Sequence, residues 1–372
     1  MSAGAAGALP PEPVAWDLAE RVALRVGGGD AFARSYHSDS LGPDFEELTT
    51  EAEGLVAETT GLVSLHGPAR ARVTDRAGWV RANIASFRRL LRPVTTKLGE
   101  RISANPVAGA VTRTVTGIEV GTLLGWMSTR VLGQYDLLVV DDDTAADQDI
   151  VYYVGPNILS LEKRFAFPPR EFRLWLALHE VTHRAQFTGI PWLRPHFLSL
   201  VERSLQGVDT DPRRIVGALR RAVEEARAGR NPLDEGGLVA LMATPEQQEV
   251  LGQIGGMMSL LEGHGDITMD RASAGRIPSA GRFGQVLRQR RAQASRPARL
   301  VRKLVGLEAK LNQYEQGERF IEAVEAVGGP ELVARAWTAP ELLPDLAEIR
   351  HPWSWIERVG AGIAVHADGA SA

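Results

Sequence analysis

Residues 169–190 read PREFRLWLALHEVTHRAQFTGI, and the reading of this stretch decides the reading of the whole chain. Phe172, Trp175, Leu176 and Leu178 recur at helical spacing and cover a wide arc, which predicts a helix from about Pro169 to Phe187, buried on most sides. Pro168-Pro169 set its first turn, and Gly189-Ile190-Pro191 close it. Inside it lies His179-Glu180-Val181-Thr182-His183, an HExxH pattern. Residues four apart on a helix share a face, so both imidazoles can meet one zinc ion. Glu180 is placed beside them, where it can take a proton from a water that the metal acidifies. The plainer alternative is a pair of buried structural histidines with an exposed glutamate between them. Those imidazoles would share their face with Leu176 and Phe187 and would have to find other hydrogen-bond partners.

A catalytic zinc needs a third protein ligand and an open position. The extended pattern that supplies a third histidine shortly downstream is ruled out, because Gln186 and Gly189 stand where glycine and histidine would be required. The search therefore moves to a second helix. Thr244-Pro245-Glu246-Gln247 has a capping threonine, a proline at the first position and a glutamine that completes a capping box, and the helix it opens is expected to reach about Arg271. Gly252, Gly255, Gly256, Gly263 and Gly265 each weaken that helix by roughly 1 kcal/mol relative to alanine, which points to close approach by another helix as compensation. Within it runs Leu261-Glu262-Gly263-His264-Gly265-Asp266, with Glu262 and Asp266 one turn apart on one face.

This arrangement resembles the gluzincins, the thermolysin-like clan. The resemblance implies that Glu262 is the third zinc ligand and that Asp266 holds a zinc histidine, His179, by a hydrogen bond. His264 is the competing ligand; it lies roughly 200° around the helix from Glu262. Beyond these two helices, residues 131–136, Val154-Gly155-Pro156-Asn157, Pro191-Trp192-Leu193 and the stretch from Lys310 to Gly317 join the HExxH helix and residues 261–264 in a wider pattern. On these residues the chain as a whole resembles the actinobacterial zincin-like metallopeptidase family associated with deazaflavin-coenzyme biosynthesis. That resemblance implies a zincin-like fold and a zinc hydrolase. No stretch reads as a deazaflavin-binding fingerprint, so the coenzyme link is an association and not a cofactor.

Peptide hydrolysis also needs a donor for the developing oxyanion. Lys310, Gln313, Tyr314 and Gly317 fall on one helix face, and Tyr314 is the first candidate, against the alternative that it packs with its hydroxyl at the surface. His264 and His351 are further candidates, while His37, His66, His196 and His366 read as ordinary histidines.

Around this centre most of the chain has helical periodicity, so the expected fold is mainly α with a small β-hairpin or sheet. The hairpin is placed at Tyr135 to Val140 and Ile150 to Val154, and one of its edges can pair with an extended peptide. Asn157 is expected to cap a short helix ending at Phe165. Further helices are expected at Pro297 to Val327, Pro330 to Trp337 and Trp353 to Val359. The expected organisation is a tail over 1–13, an N-terminal helical segment over 14–130, a catalytic core over 131–359 and a second tail over 360–372.

Composition narrows the function classes. The 372 residues are 44% hydrophobic and 24% charged, the balance of a folded globular protein. There is no cysteine, which removes disulfides, thiolate zinc sites and cysteine nucleophiles together. A net charge of −4 provides no global field for nucleic acid or an anionic membrane. The basic run Arg282, Arg288, Arg290, Arg291, Arg296, Arg299, Arg302 and Lys303 lacks interleaved aromatics and reads as a solvated helix face. Val107 to Leu132 is apolar but carries Arg113, Glu119 and Arg130, whose cost at bilayer depth argues against a spanning helix. No secretory pattern is visible in Met1 to Pro13, so a cytoplasmic location is expected. Nothing in the sequence specifies an oligomeric state. The expected activity is zinc-dependent hydrolysis of a peptide or other amide. The alternative is a non-catalytic zinc-stabilised binding or scaffold protein, which four protein ligands on the metal would favour.

Overall fold

The computed structural model describes residues 12–29, 32, 36–91, 106–137, 149–206, 244–292 and 307–360. These form a mainly helical protein with one three-stranded sheet. Chain contacts divide it into two units, one built from residues 1–50 and 69–176, the other from 51–68 and 177–372. Among the described residues no helix is long and apolar enough to cross a membrane.

In the first unit, α1 (Trp16–Gly27) packs along α4 (Pro106–Ser128). Gly121 and Gly125 of α4 abut the Ala19 and Ala23 carbonyls of α1, and a Cβ on Gly125 would come within 2.5 Å of Ala23 O. The small residues of this apolar stretch thus allow two backbones to touch. Between them lie α2 (Tyr36–Thr60), whose first part belongs to this unit, β1 (Arg70–Thr74) and α3 (Arg76–Leu90). Trp16, Trp79, Val80, Leu124 and Val154 belong to one buried apolar cluster of the unit.

The sheet has the order β1-β3-β2, with β2 spanning Gly133–Tyr135 and β3 spanning Ile150–Val154. The expected hairpin is present, since β2 runs antiparallel to β3 with Gly133 opposite Tyr153 and Tyr135 opposite Val151. Its first strand starts two residues earlier than expected, and residues 138–140 lie outside the described part. β1 was not expected. It pairs with β3 in parallel, Arg70 opposite Ile150 through Thr74 opposite Val154.

Asn157 does not cap the helix that follows, α5 (Gly155–Phe165), whose N-cap is Val154. It is buried inside the first turn, where its Nδ2 donates to Ser128 O at 2.8 Å and Val131 O at 2.7 Å while its Oδ1 accepts from Arg76 Nε at 2.9 Å. These bonds go to distant chain, and a residue that already lies inside the helix, three places after the N-cap, is not in a capping position. Ala166 in the left-handed conformation ends α5, and α6 (Pro169–Gly189) follows. Arg173, in the first half of α6, is buried with both arms on Glu162, at 2.8 and 2.9 Å, and a further ion pair to Asp44.

The second unit takes the rest of α6 from Ala177, then α7 (Leu193–Gln206), α8 (Pro245–Ser273), α9 (Ala280–Ala292), α10 (Leu307–Ala334), α11 (Leu346–Arg350) and α12 (Pro352–Gly360). The expected capping box opens α8, with Gln247 N donating to Thr244 Oγ1 and Thr244 N donating to Gln247 Oε1. Two of its glycines, Gly256 and Gly263, are close-approach points of the kind anticipated from the sequence. A Cβ on Gly263 would come within 2.5 Å of Glu318 N and 2.7 Å of Gly317 Cα on α10, and Gly256 abuts the backbone at Pro344 and Asp345. Leu260, Phe320, Val324, Leu332, Ile349 and Trp355 fill the core where α8, α10, α11 and α12 meet. Non-helical torsions at Gly328 and Gly329 bend α10 just before Pro330, which is why the sequence reads there as two helices.

Candidate metal centre

The second half of α6 is anchored on the face away from its histidines. Arg184, 1% exposed, donates to Glu53 Oε1 at 2.6 Å and to Gly67 O at 2.7 Å, and Leu65 N donates to Thr188 O at 3.2 Å. Two hydroxyls, Thr182 and Thr188, are satisfied within the helix by the carbonyls of Leu178 and Arg184, both at 2.6 Å. With its back held in this way, the helix presents His179 and His183 together, ring centroids 4.6 Å apart and nearly perpendicular.

Both imidazoles turn Nε2 toward the same point, 3.3 Å apart. Across from them, α8 brings Glu262, whose Oε2 lies 3.5 Å from His183 Nε2 and 4.0 Å from His179 Nε2. One donor atom from each of the three residues falls within 4.8 Å of the other two. Asp266 Oδ1 stands 4.0 Å from His179 Nδ1, on the expected ring edge but beyond direct hydrogen-bond distance. Glu180 is buried, and its charge is felt at His183.

The electrostatics describe a site with an excess of negative charge. Burial alone would lower the pKa of His183, but the hydrogen bond and charge of Glu262, helped by Glu180, outweigh it and push it up to about 9. The buried carboxylate thus draws a cation, and a proton on His183 meets that demand. Two imidazole nitrogens and one carboxylate oxygen are also a donor set suited to zinc, and among the described residues no fourth ligand joins them. Gly265 keeps the space clear: a Cβ there would lie 3.4 Å from His183 Cε1, 3.7 Å from His183 Nε2 and 3.9 Å from His179 Cε1. The residues present therefore fit a zinc ion.

His264 lies outside the group of three. Its Nδ1 sits 2.9 Å from Gln186 Nε2, and its ring meets Trp337 edge-on at 5.2 Å. Burial, then the charges of His183 and Arg271, hold its pKa down to about 4, so it is neutral. Tyr314 belongs to α10, but its side chain, like those of Lys310 and Gln313, lies outside the described part. His351 is exposed and ends α11, His37 and His66 are exposed, and His196 is half-buried against Trp192. His366 and the basic run from Arg290 onward lie outside the described side chains, while Arg282 and Arg288 are exposed.

One residue was missed. Gln186 read only as a departure from a third-histidine pattern, yet it is fully buried beside His183, with Oε1 3.0 Å from His183 Nδ1. The signal available was its position, three residues after His183 on the same helix.

Fold and cluster together define a mainly helical protein with a candidate two-histidine, one-carboxylate metal centre. The sequence profile of the zincin-like metallopeptidase family matches residues 14–356, and the chain belongs to that family. It is also similar to a crystal structure from Chloroflexus aurantiacus described as a candidate hydrolase with a novel fold, at 31% identity and a TM-score of 0.65, over 93% of this chain and 99% of that one. No curated protein matches it.

Proposed function

We propose that the protein is a zinc-dependent metallopeptidase, with His179, His183 and Glu262 as the metal ligands and Glu180 as general base. The observation that carries this reading is the Glu262 carboxylate, buried on a different helix and aimed at both Nε2 atoms of the HExxH histidines. Membership of the zincin-like family supports it, as does similarity to a candidate hydrolase.

Zinc held by these three groups supplies a Lewis acid that polarises the amide carbonyl and makes a water acidic near neutral pH. Glu180 takes a proton from the attacking water, whose oxygen forms a bond to the carbonyl carbon. The C–N bond then breaks, and Glu180 returns the proton to the departing amine, so that water and an amide become a carboxylic acid and an amine. Asp266 accepts from His179 Nδ1 once the ring and carboxylate close the 4.0 Å gap between them. Tyr314 remains the candidate oxyanion donor, with His264 second. A cytoplasmic location is part of this reading. Placement among the actinobacterial, deazaflavin-associated members rests on the sequence motifs.

The test is cleavage of a peptide library by the wild type and by Glu180→Gln, each with zinc and then with chelator. Expected are wild-type products that chelator abolishes, and a variant that binds zinc as tightly but turns over at least 100-fold more slowly. Full activity in Glu180→Gln would remove the assigned base.

A further inference from the structure

We propose that Gln186 is a positioning residue that holds His183 in the tautomer needed for metal binding and ties the two ligand-bearing helices together, with His264 as its brace. The inference rests on the metal-site reading above. Gln186 is fully buried, and each polar atom of its amide has an assignable partner. Its Nε2 donates to Leu261 O at 3.1 Å, and the same nitrogen faces His264 Nδ1 at 2.9 Å. A backbone carbonyl can only accept, so the amide cannot be turned the other way round. Oε1 is therefore the atom facing His183 Nδ1, at 3.0 Å, and an amide oxygen can only accept there. His183 must carry a proton on Nδ1, so Nε2, the atom beside Glu262 Oε2, is the one that gives up a proton and offers its lone pair when a metal binds.

The same donor count sets the state of His264. Its Nδ1 accepts from Gln186, so its own proton lies on Nε2. The ring is held in place edge-on to Trp337, whose carbonyl accepts from Trp192 Nε1 at 3.2 Å. Gln186 thus does two things at once. Its oxygen orients a ligand from α6, and its nitrogen grips α8 at Leu261, the residue immediately before the ligand Glu262. A group acting only as core filling would do neither.

The experiment compares the wild type, Gln186→Met, Gln186→Glu, His264→Phe and the Gln186→Met/His264→Phe double variant as full chains. Zinc affinity is measured by competition with a chromophoric chelator, and the His183 tautomer by 15N NMR of metal-free, histidine-labelled protein at about pH 10, where the ring is neutral. Gln186→Met is expected to weaken zinc 10- to 100-fold and to release His183 from the Nδ1-protonated form. His264→Phe is expected to weaken zinc in the wild type but to add little in the Gln186→Met background, because it acts through the amide. Gln186→Glu retains the acceptor and loses the donor, so it should keep the tautomer and still lose affinity; it also serves if the methionine variant fails to fold. Affinity within twofold of wild type and an unchanged tautomer in either Gln186 variant would overturn the proposal. His183→Ala separates the two levels. If it loses zinc while Gln186→Met does not, the positioning role alone fails; if it retains full affinity, the metal site itself fails and this proposal with it.

Discussion

At the scale of the residue, the site is governed by how many protons and how much charge its buried groups must accommodate. The folded pKa of His183, about 9, lies above its ordinary 6.5. Its proton therefore contributes stability to the metal-free protein that is complete below pH 6.5 and lost as pH rises through 9. Metal binding must displace that proton, so zinc affinity should climb about tenfold per pH unit up to about 9. Chelator competition at pH 6.5, 7.5 and 8.5 checks this, and an affinity flat across the range would mean that the proton on His183 is not what the metal displaces. His179, Glu180 and His183 could be read directly from the chain because their relation is one helical turn. Gln186 could not, since Leu261 and His264, which give it meaning, are 75 and 78 residues away.

At the scale of the element, glycine on α8 has opposite consequences at different positions. Gly263 meets the backbone of α10, so Gly263→Ala must push two helices apart and should cost about 1–3 kcal/mol in urea unfolding. Gly252, on the same helix, meets no atom of another element within 4 Å of where its Cβ would stand among the described residues, and Gly252→Ala should stabilise by roughly 0.5–1 kcal/mol. Equal effects from the two would contradict the close crossing of α8 and α10. The sequence shows that these glycines demand an explanation but does not say which of them touches a partner. Elements defined by local signals, such as the capping box at Thr244, were legible; β1 was not. Its residues, Arg70-Ala71-Arg72-Val73-Thr74, have an ordinary mixed pattern, and only the parallel partner Ile150–Val154 makes them a strand.

At the scale of the molecule, the candidate ligands come from chain segments about 80 residues apart, so a bound metal would cross-link α6 and α8 in the folded state alone. Zinc at 100 times its Kd should then stabilise the protein by about 2.7 kcal/mol and raise Tm accordingly. Differential scanning calorimetry on Glu180→Gln should show the same rise, while Glu262→Gln should lose most of it. A full rise in Glu262→Gln would remove that carboxylate from the ligand set. The two units also interleave along the chain, with residues 51–68 grouped with the C-terminal part and 69–176 with the N-terminal part. Linear order carries no mark of such a division, because it depends on which distant surfaces bury one another.

What the sequence determined by itself was whatever one or two turns of helix can encode: a mainly helical chain, the paired histidines on a shared face with a glutamate between them, and the opening of α8. These depend on periodicity and on side chains bonding to their own backbone, both of which are local. Tertiary structure decided where Glu262 stands relative to the imidazoles, what Gln186, His264 and Asn157 bond to, and which glycines are contact points. Those are matters of hydrogen-bond satisfaction and close packing between segments far apart in the chain, and they acquire a unique answer only once the core has formed.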